Sequence, residues 1–507
     1  MNDSPDMIAV EHAAAMPVLA DFLSYADHQA INPLHLPTSA DELARLARRD
    51  MELTRYPMKS WVLPKFAPDG SRALDVLVVG AGQAGLATGF GLLQQRVENI
   101  LLIDENAPGA EGPWATYARM ETLRTQKDVG GIECGVPSLS LRAWFEVQYG
   151  AQAWRDLYKV PTAAWARYLN WYRVTTQLPV RNHCRMVRFG PSSVAGLIEV
   201  EVRDKAGQRS LLWTQTLALA TGIEGNGRRF IPPVVRDNVP KAFWAHTQED
   251  IDFTALKDKS VGVVGGGASA FDNAIKVAEA GAARVDLYHR APDLRSANGV
   301  AWSEFNGYLA HFPDLDLAQR WRFARQMKAL RSGPPVRTVE KAQATANLVI
   351  HPGSSFERLE MLDAHVLVHA TDGARAFDFL ILGTGYETNV ALAPEFIEHM
   401  DKIALWQDVF TPPPGEDDPG LMRSCHLGPN FELQEKTPGC APWLAAVFNF
   451  SRGANASMGP MPIGLSGIKF GVPRLVQGIT KRLFVSNAAA YLEGMKLWQQ
   501  GDNVYER

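Results

Sequence analysis

The sequence predicts an α/β protein with two Rossmann-like dinucleotide-binding units, the second set into the first, behind a helical N-terminal extension. Three observations carry this. The apolar run from Asp75 to Val79 breaks into Gly80-x-Gly82-x-x-Gly85 before a helical stretch from Leu86 to Gln95. A second run, Val261 to Val264, breaks into Gly265-x-Gly267-x-x-Ala270 before a helical stretch from Phe271 to Ala280. Each unit then supplies an apolar strand that ends in Thr-Gly, at Thr221-Gly222 and at Thr384-Gly385. In such a strand–turn–helix the first glycine permits the tight turn and the second lets the backbone approach a pyrophosphate. The third position lets helix and strand pack closely. The helix start, here Gln83-Ala84 and Ala268-Ser269, offers unpaired N–H groups to the phosphates.

Bulk properties narrow the class. The chain has 507 residues, 46% hydrophobic and 21% charged, which suits two or three folded domains. A formal net charge of -4 gives no reason to expect nucleic acid, and no dense basic run suggests a membrane surface. Cys134, Cys184, Cys425 and Cys440 stand far apart without a C-x-x-C pair. That argues against a disulfide framework, a zinc ribbon or a redox dithiol, and suits a reducing cytoplasm. The start Met-Asn-Asp-Ser-Pro-Asp lacks the character of a signal peptide, and no run of about 18 apolar residues predicts a membrane span.

Residues 1–72 form the expected extension. Val10 to Ala26 is apolar at helical spacing, and Ser39 with Glu42 has the form of a capping box ahead of a Leu43/Leu46 helix. A cover over the core or a dimer face is the plain reading, and a lid over a substrate entrance the sharper one.

Residues 73–227 hold the first part of the first unit. Its second strand, Ile100 to Ile103, ends in Asp104-Glu105, 24 residues beyond Gly80. An acid there is placed to accept hydrogen bonds from ribose hydroxyls. Asp104 directly follows the strand and is preferred, with Glu105 one residue away. Trp114 closes Glu111-Gly112-Pro113-Trp114, and Arg119 to Lys127 mixes arginines and an amide soon after the turn, so this stretch is a candidate to wrap a cofactor. The aromatic stripe from Trp144 to Tyr172 reads as core packing. Strands are expected from Met186 to Asp204 and from Ser210 to Ala220, turning at Gly207, with a linker from Gly225 to Pro233.

Residues 228–380 make the second unit, with a helical insertion at about 303–347. Its second strand, Val285 to Tyr288, ends in His289-Arg290 and not in an acid. A carboxylate there would repel a 2′-phosphate, whereas a guanidinium pairs with one bidentately. The first unit should therefore hold a nucleotide with a free ribose 2′-hydroxyl, and the second NADP(H). Residues 381–507 return to the first unit through Thr384-Gly385-Tyr386, with loops at 411–419 and 450–467 and helices from about 472 to 497. The run Gly464-Leu465-Ser466-Gly467 either presents a helix N-terminus to a polarised ring carbonyl or is a plain loop. No metal is expected: H-E-x-x-H spacing is absent, and His365 and His369 sit four apart in a strand.

With these motifs the chain resembles the two-dinucleotide flavoprotein superfamily over about residues 74–485, and within it the single-component class B flavin monooxygenases. That group includes flavin-containing, Baeyer–Villiger and N-hydroxylating monooxygenases. The resemblance implies FAD on Gly80, Gly82, Gly85 and Asp104, and NADPH on Gly265, Gly267, Ser269 and Arg290. Phe377-Asp378 through Gly385-Tyr386 resembles the motif that returns to the flavin, and Glu111 to Trp114 the family's Gly-Gly-x-Trp. Hydride would pass from NADPH to FAD, and one oxygen atom of O₂ would reach a small organic substrate through a C4a-(hydro)peroxyflavin. Arg124, Gln126, Lys127 and Asn449 are the candidates to act near the ring. The family's F-x-G-x-x-x-H would fall at Pro240-x-Ala242-x-x-x-His246 with Asp250, where only the histidine and the acid survive. N-oxygenation, S-oxygenation and Baeyer–Villiger oxidation therefore stay open. So do an NADPH oxidase without oxygen insertion, a non-catalytic nucleotide-binding protein, and a homodimer.

Overall fold

The computed structural model describes residues 36–294, 299–330, 333–460 and 462–498. The apolar stretch from Val10 to Ala26 lies outside them. Ser39 caps the first helix, Ala40–Leu53, its Oγ accepting from the Glu42 N–H at 3.2 Å. The return arm of the box differs from expectation: the Glu42 carboxylate accepts from the N–H of Thr38 at 2.7 Å, not of Ser39. Leu43, Ala44 and Ala47 are buried, so this helix covers part of the core.

The first sheet begins with β1 (Leu74–Val79), β2 (Ile100–Ile103), β3 (Val180–Arg181), β4 (Cys184–Pro191), β5 (Ile198–Asp204) and β6 (Arg209–Gly222). Their order is β3-β2-β1-β6-β5-β4, with β1 parallel to both β2 and β6. Val76, Leu77 and Val78 are fully buried. Burial on both faces is why β1 reads as a continuous apolar run and not an alternating one. The helix Gln83–Gln94 is buried along nearly its whole length because it lies between this sheet and the long helix Leu465–Val485. Trp144, Trp154, Trp165, Tyr168 and Tyr172 are buried, while Tyr149 and Tyr158 are exposed. The Tyr168 and Tyr172 hydroxyls donate to the carbonyls of Leu139 and Ile132 at 2.7 and 2.6 Å, so the two tyrosines bury their rings with their polar ends satisfied.

The chain leaves through β7 (Gly227–Arg229) into a second sheet of β8 (Trp244–His246), β9 (Ser260–Val264), β10 (Arg284–His289) and β11 (Leu348–Pro352). After the antiparallel meander β12 (Phe356–Leu362), β13 (His365–Ala370) and β14 (Gly373–Phe377), β15 (Phe379–Leu382) joins it. The order is β11-β10-β9-β15-β8, parallel throughout. The return strand β16 (Tyr386–Thr388) pairs antiparallel with β7, so outgoing and incoming linkers form one ribbon. β17 (Val447–Ser451) then lies parallel to β6 and completes the first sheet, which makes the second unit an insertion into the first.

The expected insertion at 303–347 divides its packing. Helix Val336–Ala344 lies against Ala268–Glu279 of the second unit. Helix Leu317–Leu330 instead sets Trp321 against Trp406 and Phe410 in the C-terminal part. The long C-terminal helix begins at Leu465, earlier than the expected Val472, because Gly464 is its N-cap. Gly471 lets it close on Phe450, whose ring would stand 2.8 Å from an added Cβ. Among the described residues no helix is long and apolar enough to cross a membrane.

Candidate functional site

The first nucleotide turn is built from contacts that leave no room for side chains. A Cβ on Gly80 would stand 2.4 Å from the carbonyl oxygen of Ala220, and one on Gly85 would stand 1.8 Å from that of Gly80. Gly82 is different. Its φ of -69° is open to any residue, and a Cβ would meet nothing nearer than the Gly112 backbone at 3.5 Å. Nothing in the protein demands glycine there. It caps the helix without a side-chain hydrogen bond, so no capping side chain takes up the first-turn N–H groups.

Asp104 lies beneath this turn. Its Oδ2 accepts from the Ala81 N–H at 2.9 Å, and its Oδ1 from the Asn106 N–H at 2.9 Å. Burial raises its pKa, and those N–H groups oppose the rise. Glu105 points outward to Arg185 at 3.5 Å. Beside the turn is a cleft lined by Ala81, Glu111, Trp114 and Arg173 among others. Glu111 pairs with Arg173, and the Trp114 indole packs edge-on against Trp165 with its N–H buried and unpartnered among the described residues. No local pattern marks Arg173, which comes from a helix 62 residues later.

The second turn repeats the design. A Cβ on Gly265 would stand 2.2 Å from the carbonyl oxygen of Gly383. Gly267, the N-cap of Ala268–Glu279, has φ -92° and open space around its missing Cβ. Ala270 is fully buried at the third position, Ser269 is exposed, and Arg290 is exposed at the end of β10. Both second-position glycines are therefore dispensable to the fold, and both stand at a helix start. That is the cradle two dinucleotides require.

Between the turns lies the linker ribbon. Gly222 and Gly385 take left-handed φ values of 68° and 77° where the chain leaves β6 and β15. Thr384 Oγ1 donates to the Phe230 carbonyl, and the Gly385 carbonyl accepts from the Phe230 N–H at 2.9 Å. Fully buried His246 donates from Nε2 to that same carbonyl at 3.1 Å and accepts at Nδ1 from the Gln248 N–H at 3.3 Å. It is a latch between β8 and the linker, and burial lowers its pKa. The Tyr386 ring meets His246 edge-on and Arg452 by a cation–π contact. Burial, with Glu224 next, pushes the nearby Tyr117 hydroxyl up to about 12. Arg229 binds Glu224 at 2.7 Å and lies 3.5 Å from Glu249. The sequence reading missed this cluster, since its members are scattered and carry no motif.

The four catalytic candidates share no partner among the described contacts. Arg124 pairs with Asp272 on the helix of the second turn. Lys127 donates to the carbonyls of Trp154 and Arg155 at 2.7 and 3.0 Å, and Gln126 is exposed with no side-chain bond of its own described. Asn449 is buried in β17, its Oδ1 accepting from Ser451 Oγ at 2.7 Å while its Nδ2 has no partner among the described residues. His365 and His369 turn to Asp378 and Glu360, and the described residues contain no metal-binding cluster.

Residues 74–307 match the pyridine nucleotide-disulphide oxidoreductase family, although the four cysteines here are unpaired. The FAD-dependent urate hydroxylase of Xanthomonas campestris pv. campestris is 37% identical over 466 residues, covering 92% of this chain and 98% of that protein. The ornithine hydroxylase of Pseudomonas aeruginosa superposes with a TM-score of 0.65 at 17% identity, over 81% of this chain and 100% of that one. The ornithine N-hydroxylase of Kutzneria sp. 744, solved with reduced FAD, NADP⁺ and L-ornithine, gives 0.63 at 14%, over 81% and 99%.

Proposed function

The chain belongs to the class B flavin monooxygenases, and on that premise we propose that it is an FAD- and NADPH-dependent oxygenase of a small planar heterocycle, with urate the first substrate to try. The observation that carries the cofactor reading is the pair of second-position glycines, Gly82 and Gly267, whose missing side chains serve no purpose inside the protein. The choice of urate rests on the 37% identity to a urate hydroxylase.

FAD is assigned to the first turn. Gly80, Gly82, Gln83, Ala84 and Gly85 would hold its pyrophosphate, with Asp104 or Glu105 toward the ribose. Trp114, Thr221-Gly222 and Thr384-Gly385-Tyr386 would border it. NADPH is assigned to Gly265, Gly267, Ala268, Ser269 and Ala270, with Arg290 on the 2′-phosphate. When bound, the flavin supplies hydride acceptance and oxygen activation. The protein's part is to align and to exclude water. Gln83 Nε2 donates to the carbonyl of Ile463 at 2.9 Å, which ties the first turn to the start of helix Leu465–Val485. The Arg124–Asp272 pair ties the loop after the first turn to the helix of the second, and so holds the two nucleotide sites in register.

The test is oxidation of NADPH by FAD-loaded protein with and without urate under ¹⁸O₂. Urate-stimulated turnover with one ¹⁸O in the product is expected. Peroxide formation with no labelled product, from urate and from every amine, sulfide and ketone tried, would reject an oxygenase.

A further inference from the structure

The strand that leads to Arg290 carries a chain of polar side chains outside both nucleotide turns. It starts at Asp286 on β10, which is fully buried. Arg284 donates to that carboxylate from Nε and Nη2 at 2.7 and 2.9 Å. His351 on β11 bridges two carboxylates, with Nε2 2.7 Å from Asp286 Oδ1 and Nδ1 2.6 Å from Asp372 Oδ2. An ionised carboxylate only accepts, so both ring nitrogens donate. The Tyr288 ring stacks on the imidazole at 4.5 Å and 11°. Asp372, in the turn between β13 and β14, then accepts from Ser354 Oγ at 2.7 Å.

Ser354 is buried, and its loop grips the backbone on either side of Arg290. The Ser354 N–H donates to the His289 carbonyl at 3.1 Å, and the Gly353 N–H donates to the Ala291 carbonyl at 3.0 Å. Arg290 itself is exposed, and no carboxylate among the described residues pairs with it. The guanidinium is therefore free while the peptide groups that carry it are held. Charges taken out of water recover little net stability from one another, and apolar side chains of equal volume would join β10 to β11 as well. A satisfied buried network instead fixes one geometry. Here that geometry ends on the peptides flanking Arg290.

We propose that Asp286, His351, Asp372 and Ser354 form a brace that sets Arg290 for the 2′-phosphate, and so contribute to the preference for NADPH over NADH. They are positioning residues, acting through the loop 352–355 and not on the nucleotide. The inference rests on the assignment of NADPH to the second turn. Because the brace works through Arg290, its removal matters only while Arg290 is present.

The experiment is calorimetric titration of NADP⁺ and NAD⁺ into FAD-loaded parent, Ser354→Ala, Asp372→Ala, Asp372→Asn, Arg290→Ala and the double variant Ser354→Ala with Arg290→Ala. Melting temperature and flavin content check that each is folded. Ser354→Ala should weaken NADP⁺ about three- to tenfold, the order of one lost hydrogen bond, and leave NAD⁺ within about twofold. Asp372→Ala, which also releases His351 and Arg375, should weaken NADP⁺ by at least as much. Asp372→Asn keeps an oxygen for the Ser354 hydroxyl and should recover part of that loss. In the Arg290→Ala background, Ser354→Ala should add no more than about twofold. Three results would overturn the brace and leave the NADPH assignment standing: NADP⁺ bound equally by the parent, Ser354→Ala and Asp372→Ala; equal losses for NADP⁺ and NAD⁺; or a Ser354→Ala loss undiminished without Arg290. An Arg290→Ala protein that binds NADP⁺ as tightly as the parent would overturn the 2′-phosphate reading and the brace with it.

Discussion

At the first nucleotide turn the strand-exit residue beside the glycines is Ala220 and the facing helix residue is Gly85. At the second turn the corresponding pair is Gly383 and Ala270. In both, the opening glycine lies under a strand-exit carbonyl at a distance no Cβ could share, 2.4 Å for Gly80 and 2.2 Å for Gly265. What differs is which side gives up its side chain. In the first unit the helix does, and the Gly80 carbonyl tucks against Gly85. In the second unit the strand does, and a Cβ restored to Gly383 would stand 2.5 Å from that of Ala270. The third position of the fingerprint is therefore set by packing within the turn, against the Gly80 carbonyl in the first unit and against Gly383 in the second, whereas the second glycine meets no close contact inside the protein.

The sharpest way to break this comparison is to exchange third positions. Gly85→Ala is expected to cost about 3 kcal/mol or more, since the clash is with backbone that cannot step aside. Ala270→Gly should cost no more than about 1 kcal/mol, the ordinary helix penalty. Urea unfolding of both variants, with retained flavin measured alongside, decides it. A Gly85→Ala protein as stable as Ala270→Gly would dissolve the distinction.

The sheets differ again at a buried acid. Asp286 on β10 is bound by Nε and Nη2 of Arg284 and by His351 at 2.7 Å. Asp75 on β1 has Gln215 at 3.1 Å and Arg72 only at 4.0 Å, and burial raises its pKa from 3.8 to about 6. The folded chain thus holds this proton more tightly than the unfolded chain. The stabilisation is complete below pH 3.8 and is lost as pH rises through about 6. A shift of this size is worth at most about 3 kcal/mol. Asp75→Asn should raise Tm at pH 8 and change it far less at pH 4.5. An equal change at both pH values would show that the carboxylate is already paired.

The third contrast is between Asp104, turned inward under its glycine turn, and Arg290, turned out to solvent. Arg290→Ala should leave Tm unchanged and weaken NADPH by about 1.5–3 kcal/mol, with little effect on NADH. Equal losses for the two nucleotides in flavin-reduction kinetics would remove Arg290 from the 2′-phosphate.

Much of this was legible in the chain, for physical reasons. Val76 to Val79 and Val261 to Val263 are buried, so apolar runs next to glycines marked the strand, turn and helix of each unit. The aromatic stripe around Tyr168 followed helical spacing into the core. Less legible was anything made by residues far apart. The Glu111–Arg173 pair, the His246 latch on Gly385 and the bonds from Trp406 Nε1 and the Leu427 N–H to Ser457 Oγ depend on chain crossings that no local pattern encodes. Arg124 and Lys127 illustrate the converse: a cation near a motif reads as available until a distant Asp272 or the Trp154 carbonyl is found bound to it.

The finest test of the exchange between helix and strand is a double-mutant cycle at the second turn. Gly383→Ala alone brings a Cβ to 2.5 Å from the Ala270 methyl and 2.7 Å from the Ala270 backbone. The first clash disappears when Ala270 becomes glycine, and the second does not. Rescue should therefore be partial. Gly383→Ala should destabilise by about 1–3 kcal/mol, and adding Ala270→Gly should recover about 1 kcal/mol beyond additivity. Full recovery would mean that the backbone of the second turn can adopt the path of the first. Strict additivity in urea unfolding would mean that the clash with the helix backbone alone sets the cost. The strand glycine would then be required whatever residue the helix presents, and the two turns would be distinct designs and not exchanged versions of one.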